Sequence, residues 1–215
     1  KKLCRSKSVI CKVVAAVEQH RSSNIIRETK ETSVDLTIDL DGKGRTDITT
    51  GIGFFDHMLN LFGAHGRFDL VVNCDGDIQV DGHHTVEDIG IALGQAVSKA
   101  LGDKRGITRY GTFFLPMDET MVMVSLDISG RPYLVYDAGG DMAPMIGQYD
   151  TELTEEFLRA FAFNAGITLH VKIMYGTNSH HKVEAIFKAL GRALHQAVAI
   201  NQETANEIPS TKGLL

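Results

Sequence analysis

DHMLNLFGAHGRFDLVV, residues 56–72, can be laid over EEFLRAFAFNAGITLHV, residues 155–171, with Phe62 on Phe161 and Leu70 on Leu169. In both stretches apolar residues recur three and four apart, a glycine follows (Gly66, Gly166), and an alternating apolar run comes next. Helical spacing, a glycine stop and strand spacing predict a helix followed by a strand, used twice. The flanking sequence keeps the same order. TSVDLTIDLDGKG, residues 32–44, alternates and then turns at Asp41-Gly42, which predicts an outer strand with a hairpin; FDLVVNCDGDIQVDG supplies one or two strands with a turn at Asp75-Gly76. TVEDIGIALGQAVSKALG reads as an amphipathic helix ending at Gly102. In the second half MVMVSLDISGRPYLVYD gives two strands broken at Gly130, ITLHVKIMYG one more, and HKVEAIFKALGRALHQAV the last helix. The expected fold is α+β: two ββαβα half-units, about 25–105 and 106–200, each sheet covered by its two helices, packed as one compact chain.

The second repeat carries chemistry. DGHHTVEDIG holds His83, His84 and Glu87; NSHHKVEAIF holds His180, His181 and Glu184. Each reads HHxxE. With a helix beginning at each pair, His84 and Glu87 share a face, as do His181 and Glu184, because residues three apart are neighbours. His83 and His180 then point elsewhere. Two such motifs suggest a duplicated half-site and two metals. The internal alignment adds His57 and its counterpart Glu156 near the starts of the two earlier helices, where His57 can approach His83 and His84, and Glu156 can approach His180 and His181. Imidazole with carboxylate suits Mn, Fe, Zn or Co rather than Ca or Mg. Cysteine is not near the cluster, which argues against a closed structural zinc.

Composition narrows the class. The chain has 215 residues, is 43% hydrophobic and carries a net charge of −5, which gives no reason to expect nucleic acid or an anionic membrane as partner. It contains no apolar run long enough to span a bilayer. Cys4, Cys11 and Cys74 are scattered, so free thiols in a reducing compartment are expected. Residues 1–24 are basic and almost free of acids, a disordered or helical extension, a cloning artefact or a transit-peptide remnant. His170, mid-strand, reads as a buried hydrogen-bonded histidine; His20 and His195 read as surface residues, and Asp118-Glu119 as a solvated turn.

TKETSV, GIGFFDHML, DGHHTVEDIGIALG, ISGRPYL, NSHHKVEAIFKALGRAL and IPSTKG, in that order, make the chain from about Arg27 to Leu215 resemble the imidazoleglycerol-phosphate dehydratases of histidine biosynthesis. The resemblance implies a ribosomal protein S5 domain 2-like fold and a dehydratase domain over 25–215. It implies loss of water from imidazole glycerol phosphate to give imidazole acetol phosphate, through a diazafulvene-like intermediate, with the imidazolate held by two metal ions. Mn(II), two per subunit, and no organic cofactor are expected. The resemblance assigns His57, His84, His180 and Glu184 to one metal, and His83, Glu87, His181 and Glu156 to the other. Many members carry histidine where this chain carries Glu156. Glu31 is the candidate acid–base residue, with Glu87 and Glu184 as alternatives. Arg109, Arg131, Ser210, Thr211 and Lys212 match phosphate-binding positions on a C-terminal tail, and His65, with His57 and His83, would contact substrate. A homo-oligomer of 24 subunits with metal sites closed between copies, in the cytoplasm or a plastid stroma, completes the expectation. Two rival functions are a dinuclear metal hydrolase, distinguished by ester hydrolysis, and a metal-storage protein, which would need none of the phosphate-binding residues.

Overall fold

A computed structural model describes residues 20–215; the first 19 residues of the basic extension lie outside that range. The first half runs β1 (Ser22–Glu28), β2 (Thr32–Asp39), β3 (Thr46–Thr49), α1 (Gly53–Gly66), β4 (Asp69–Gly76) and α2 (His83–Leu101). The second runs β5 (Tyr110–Met117), β6 (Thr120–Asp127), β7 (Tyr133–Asp137), a short ribbon of β8 (Met145–Ile146) and β9 (Tyr149–Asp150), then α3 (Leu153–Ala165), β10 (Thr168–Tyr175) and α4 (Ser179–Val198). The duplicated α+β plan is present, with one more strand in each four-stranded sheet than the sequence reading found, so that, the β8-β9 ribbon aside, each half is βββαβα. β1 begins three residues inside the segment assigned to the extension.

The two four-stranded sheets have matching orders, β1-β2-β4-β3 and β5-β6-β10-β7. The first three strands of each are antiparallel, and the last pair is parallel and joined through α1 or α3, as a parallel pair requires a crossover. β2 is therefore an interior strand and not an outer one. The Asp41-Gly42 turn closes no hairpin, because β3 pairs with β4 across the sheet. The Asp75-Gly76 pair ends a single strand. Each sheet buries one face: Val34, Leu36 and Ile38 of β2, and Val122, Val124 and Leu126 of β6, point inward. That alternation puts His170 on the exposed outer face of β10 beside buried Leu169 and Val171, so it is not a buried histidine.

The helices lie on the inner faces, α2 against β1 and β2, α4 against β5 and β6. They also pair across the halves, α1 with α4 and α2 with α3. Glycine permits this. A Cβ on Gly94 of α2 would lie 2.6 Å from the Phe161 carbonyl oxygen of α3, and one on its counterpart Gly191 would lie closer still to the Phe62 carbonyl oxygen of α1. The seams are filled by Phe55, Phe62, Phe157, Phe161 and Phe187, all fully buried. His195, near the end of α4, is half-buried against Phe68, with its Nδ1 lacking a hydrogen-bond partner, and so is not a surface residue.

Burial pushes the Cys74 thiol up to about 11. Since the thiolate is the reactive form, iodoacetamide at pH 8 is expected to leave Cys74 unmodified in the native protein, and peptide mass mapping would read this directly. Among the described residues no helix is long and apolar enough to cross a membrane.

Candidate metal centre

Both histidine pairs are set by the residue two places before them. The Asn178 side chain accepts from the His180 and His181 backbone N–H groups (2.9 and 3.4 Å), and Asp81 accepts from the His83 N–H (2.8 Å). The Asn178 bonds cap α4 and satisfy free donors of its start, while Asp81 holds the His83 N–H from one residue before the α2 cap position, Gly82; both pairs fall in the first turn. Adjacent rings then splay apart: His83 and His84 have centroids 6.2 Å apart at 82°, His180 and His181 6.2 Å apart at 85°. The two members of a pair serve different places.

His180 turns toward α1 and leans its ring edge-on against Phe54, 5.1 Å between centroids. Its Nε2 lies 2.9 Å from Glu184 Oε2, and His57 Nε2 lies 3.6 Å from the same oxygen. The helical pairing is thus His180 with Glu184, four apart, rather than the expected His181 with Glu184. Among the described residues, His57, His180 and Glu184 form the one group of metal-ligating side chains whose donor atoms all lie within 4.8 Å of one another. His57 comes from the first half and the other two from the second, because α1 packs on α4; its approach to His83 and His84, expected from helix starts sharing a sheet end, does not occur within the chain. Glu184 is nearly buried, and Lys188 Nζ donates to its other oxygen (2.6 Å). Burial pushes its carboxyl up, but the Lys188 hydrogen bond and charge, with His180 and His57, more than offset that and hold it below the usual range. Two imidazoles and an ionised carboxylate converging from two helices fit a divalent transition metal.

The counterpart group is looser. Glu156 and His83 line a cavity of about 590 Å³ with Asp81, Asp150 and Glu152, brought together because α3 packs on α2. Glu156 therefore stands with His83 and not with His180 or His181. Glu87 follows His83 by four residues, as Glu184 follows His180, and is half-buried.

His84 and His181 belong to neither group. His84 Nδ1 lies 3.0 Å from Asp77 Oδ2, and its Nε2 lies 3.9 Å from Glu31 Oε2. His181 Nδ1 lies 2.8 Å from Glu119 Oε2, and its Nε2 lies 3.8 Å from Asp118 Oδ2. The Asp77 hydrogen bond raises the His84 pKa, and the Glu119 hydrogen bond raises that of His181. Glu119 in turn is held well below the usual carboxylate range, first by His181 and then by the Asn178 N–H. The DET turn is hence not simply solvated. Sequence reading missed Asp77 and this role of Glu119; the signal it passed over was the Glu-Thr step that opens the second strand of both halves, Glu31-Thr32 and Glu119-Thr120.

The phosphate candidates gather elsewhere. Arg109 donates to Asp127 through Nε (2.7 Å) and Nη2 (3.2 Å), and to the Pro209 carbonyl (2.9 Å), next to Ser210, Thr211 and Lys212. Arg131 Nη2 lies 3.9 Å from Asp127 and is largely exposed. Asp127 ends β6, whereas the other end of β6 pairs with Tyr175, just before α4 and its histidines. Seven residue steps of strand separate the two ends, about 23 Å. His65 lies eight residues, about 12 Å, along α1 from His57, yet near enough to Lys188 and Glu184 for their charges to act on its ring.

Comparison with known proteins agrees with this architecture. The imidazoleglycerol-phosphate dehydratase family pattern matches residues 50–194. The chain is 60% identical over 195 residues to the imidazoleglycerol-phosphate dehydratases of Xanthobacter autotrophicus (91% of this chain, 98% of that one) and Streptococcus mutans (91% and 100%). It superposes on the crystal structure of the Staphylococcus aureus enzyme with a TM-score of 0.76 at 41% identity, covering 84% of this chain and 99% of that one. The Pyrococcus furiosus enzyme, in complex with (S)-C348, gives 0.76 at 35% identity, covering 89% and 100%. The chain belongs to the imidazoleglycerol-phosphate dehydratases, and is a hydro-lyase.

Proposed function

We propose that this chain dehydrates imidazole glycerol phosphate to imidazole acetol phosphate for histidine biosynthesis, with two Mn(II) ions per subunit and no organic cofactor. The observation that carries the metal part is the convergence of His57, His180 and Glu184. His84 would complete that triad, and His181 would complete Glu156, His83 and Glu87. Divalent ions held there would stabilise the ring as imidazolate, whose electrons expel the hydroxyl of the carbon beside it. Glu31, whose carboxylate faces His84 Nε2, takes the proton of the next carbon, with Glu87 and Glu184 as the alternatives. That hydroxide leaves as water with the proton given up by the ring, the diazafulvene-like ring so formed is rearomatised as the next carbon loses its proton, and the enol becomes the ketone. Arg109 fixes the tail through Pro209, so that Arg131, Ser210, Thr211 and Lys212 present cationic and hydroxyl groups to the phosphate.

The distances support a homo-oligomer. One chain leaves His84 and His181 outside their groups and its phosphate cluster at the end of β6 opposite to the one that leads to the α4 histidines, which supports completion of each site by other copies. The outer face of the second sheet suits such contact: Tyr110, Phe114, Tyr133, Val135 and Met174 are exposed on β5, β7 and β10, while the corresponding strands β1, β3 and β4 of the first sheet expose fewer large apolar side chains, Ile26 and Val71. Exposed apolar patches of this kind mark interaction sites. A 24-subunit particle in the cytoplasm, or in plastid stroma if the extension is a transit remnant, fits this reading.

Chelator-stripped protein is expected to lose turnover and dissociate to smaller species. Mn(II) should restore both in the wild type but not turnover in His84→Ala. Stripping that removes metal without changing particle size, measured by light scattering, would sink the shared-site reading; absence of metal-dependent turnover would sink the metal mechanism.

A further inference from the structure

The two carboxylates on the Nδ1 side of His84 and His181 have no assigned role. We propose that Asp77 and Glu119 are positioning residues that fix these rings with the proton on Nδ1 and the Nε2 lone pair free, and that Glu31 and Asp118, on the Nε2 side, do not share that role. The inference rests on the metal reading above and deepens it.

A neutral imidazole has one N–H and one lone pair, and a carboxylate accepting from one nitrogen decides which is which. Both Asp77 oxygens lie within hydrogen-bond distance of His84 Nδ1, at 3.0 and 3.2 Å. Glu119 is held harder. Its Oε1 accepts from the Thr177 and Asn178 N–H groups (3.1 and 2.8 Å) and from the Thr120 hydroxyl (2.9 Å), leaving Oε2 for His181 Nδ1.

The internal repeat makes the assignment sharper. Glu31 and Glu119 occupy the same place, one residue before the second strand of each half. In the second half this glutamate takes Nδ1 of the second histidine. In the first half Asp77, just past β4, takes it instead, and its backbone N–H donates to the Glu31 carbonyl (3.1 Å). Glu31 is displaced to the Nε2 side, where its side chain is 54% exposed against 36% for Glu119. Duplicated glutamates have thus parted: one fixes a ring, and the other stands free for proton transfer.

Mn(II) titrations of the stripped protein by calorimetry test this, with thermal melts to establish folding. Asp77→Ala and Glu119→Gln are each expected to lose about 10–100-fold in affinity for one of the two ions, the range for removing a partner of a ligating histidine, while keeping the other. The glutamine retains an oxygen for Thr177 and Asn178, so a helix-start defect is separated from a ring defect. Glu31→Gln and Asp118→Asn should keep both affinities, and Glu31→Gln should lower kcat. Wild-type affinity for both ions in folded Asp77→Ala and Glu119→Gln would overturn the proposal. Failure of the wild type to bind two ions would instead overturn the metal reading itself.

Discussion

Chains bearing His180→Ala and chains bearing Arg131→Ala, each nearly inactive alone, are expected to regain activity when dissociated together and reassembled with Mn(II). His180 is a triad member with Nε2 2.9 Å from Glu184, and its loss removes a donor whose metal is worth several kcal/mol of transition-state stabilisation, so turnover falls by about three orders of magnitude. Arg131 stands at the other end of the same sheet, beside Asp127. With a triad and the phosphate cluster that serves it on different copies, random mixing leaves about a quarter of the sites with both intact. Steady-state turnover of the mixture against the separately treated variants gives the answer. A mixture no more active than its parts, under conditions where wild-type protein recovers, would place triad and phosphate cluster on the same copy and refute the arrangement.

Gly191→Ala is expected to destabilise the fold by about 2–3 kcal/mol, the cost of overpacking a tight seam, and to lower Tm by roughly 5–10 °C. The added methyl would press on the Phe62 carbonyl and the Gly66 nitrogen, forcing α1 away from α4. Because His57 rides on one helix and His180 on the other, Mn(II) affinity should fall with stability. Gly53→Ala is the control: a Cβ there meets no atom within 4 Å, and the change should stay within about 1 kcal/mol. Equal melting of Gly191→Ala and wild type would mean that the helices are not in close backbone contact.

Periodicity made the four helices legible, and the repeat around Phe62 and Phe161 revealed the duplication. Strands fared less evenly. β3 has four residues and β1 mixes polar with apolar ones, since it lies at a sheet edge; neither carries enough alternation to stand out. YGTFFLPM forms β5 although its Gly111 and Pro116 are loop signals; Gly111 is where the Ala193 carbonyl presses against the strand. For the site, spacing found the histidines and the glutamates that follow them. It did not find that α1 would pair with α4, since nothing local in sequence says which helix meets which across a duplicated chain. The same limit hid Asp77, seven residues from the ring it holds.

The helix pairing carries an evolutionary consequence. A single half-unit holds donors belonging to the triad and to its looser counterpart and completes neither, since His57 needs His180 and Glu184, and Glu156 needs His83. A half-length ancestor could have gathered a metal group only by associating with an identical copy. Fusion then freed the two copies from being identical, and the separate fates of His57 and Glu156, and of Glu31 and Glu119, are the divergence that fusion allowed.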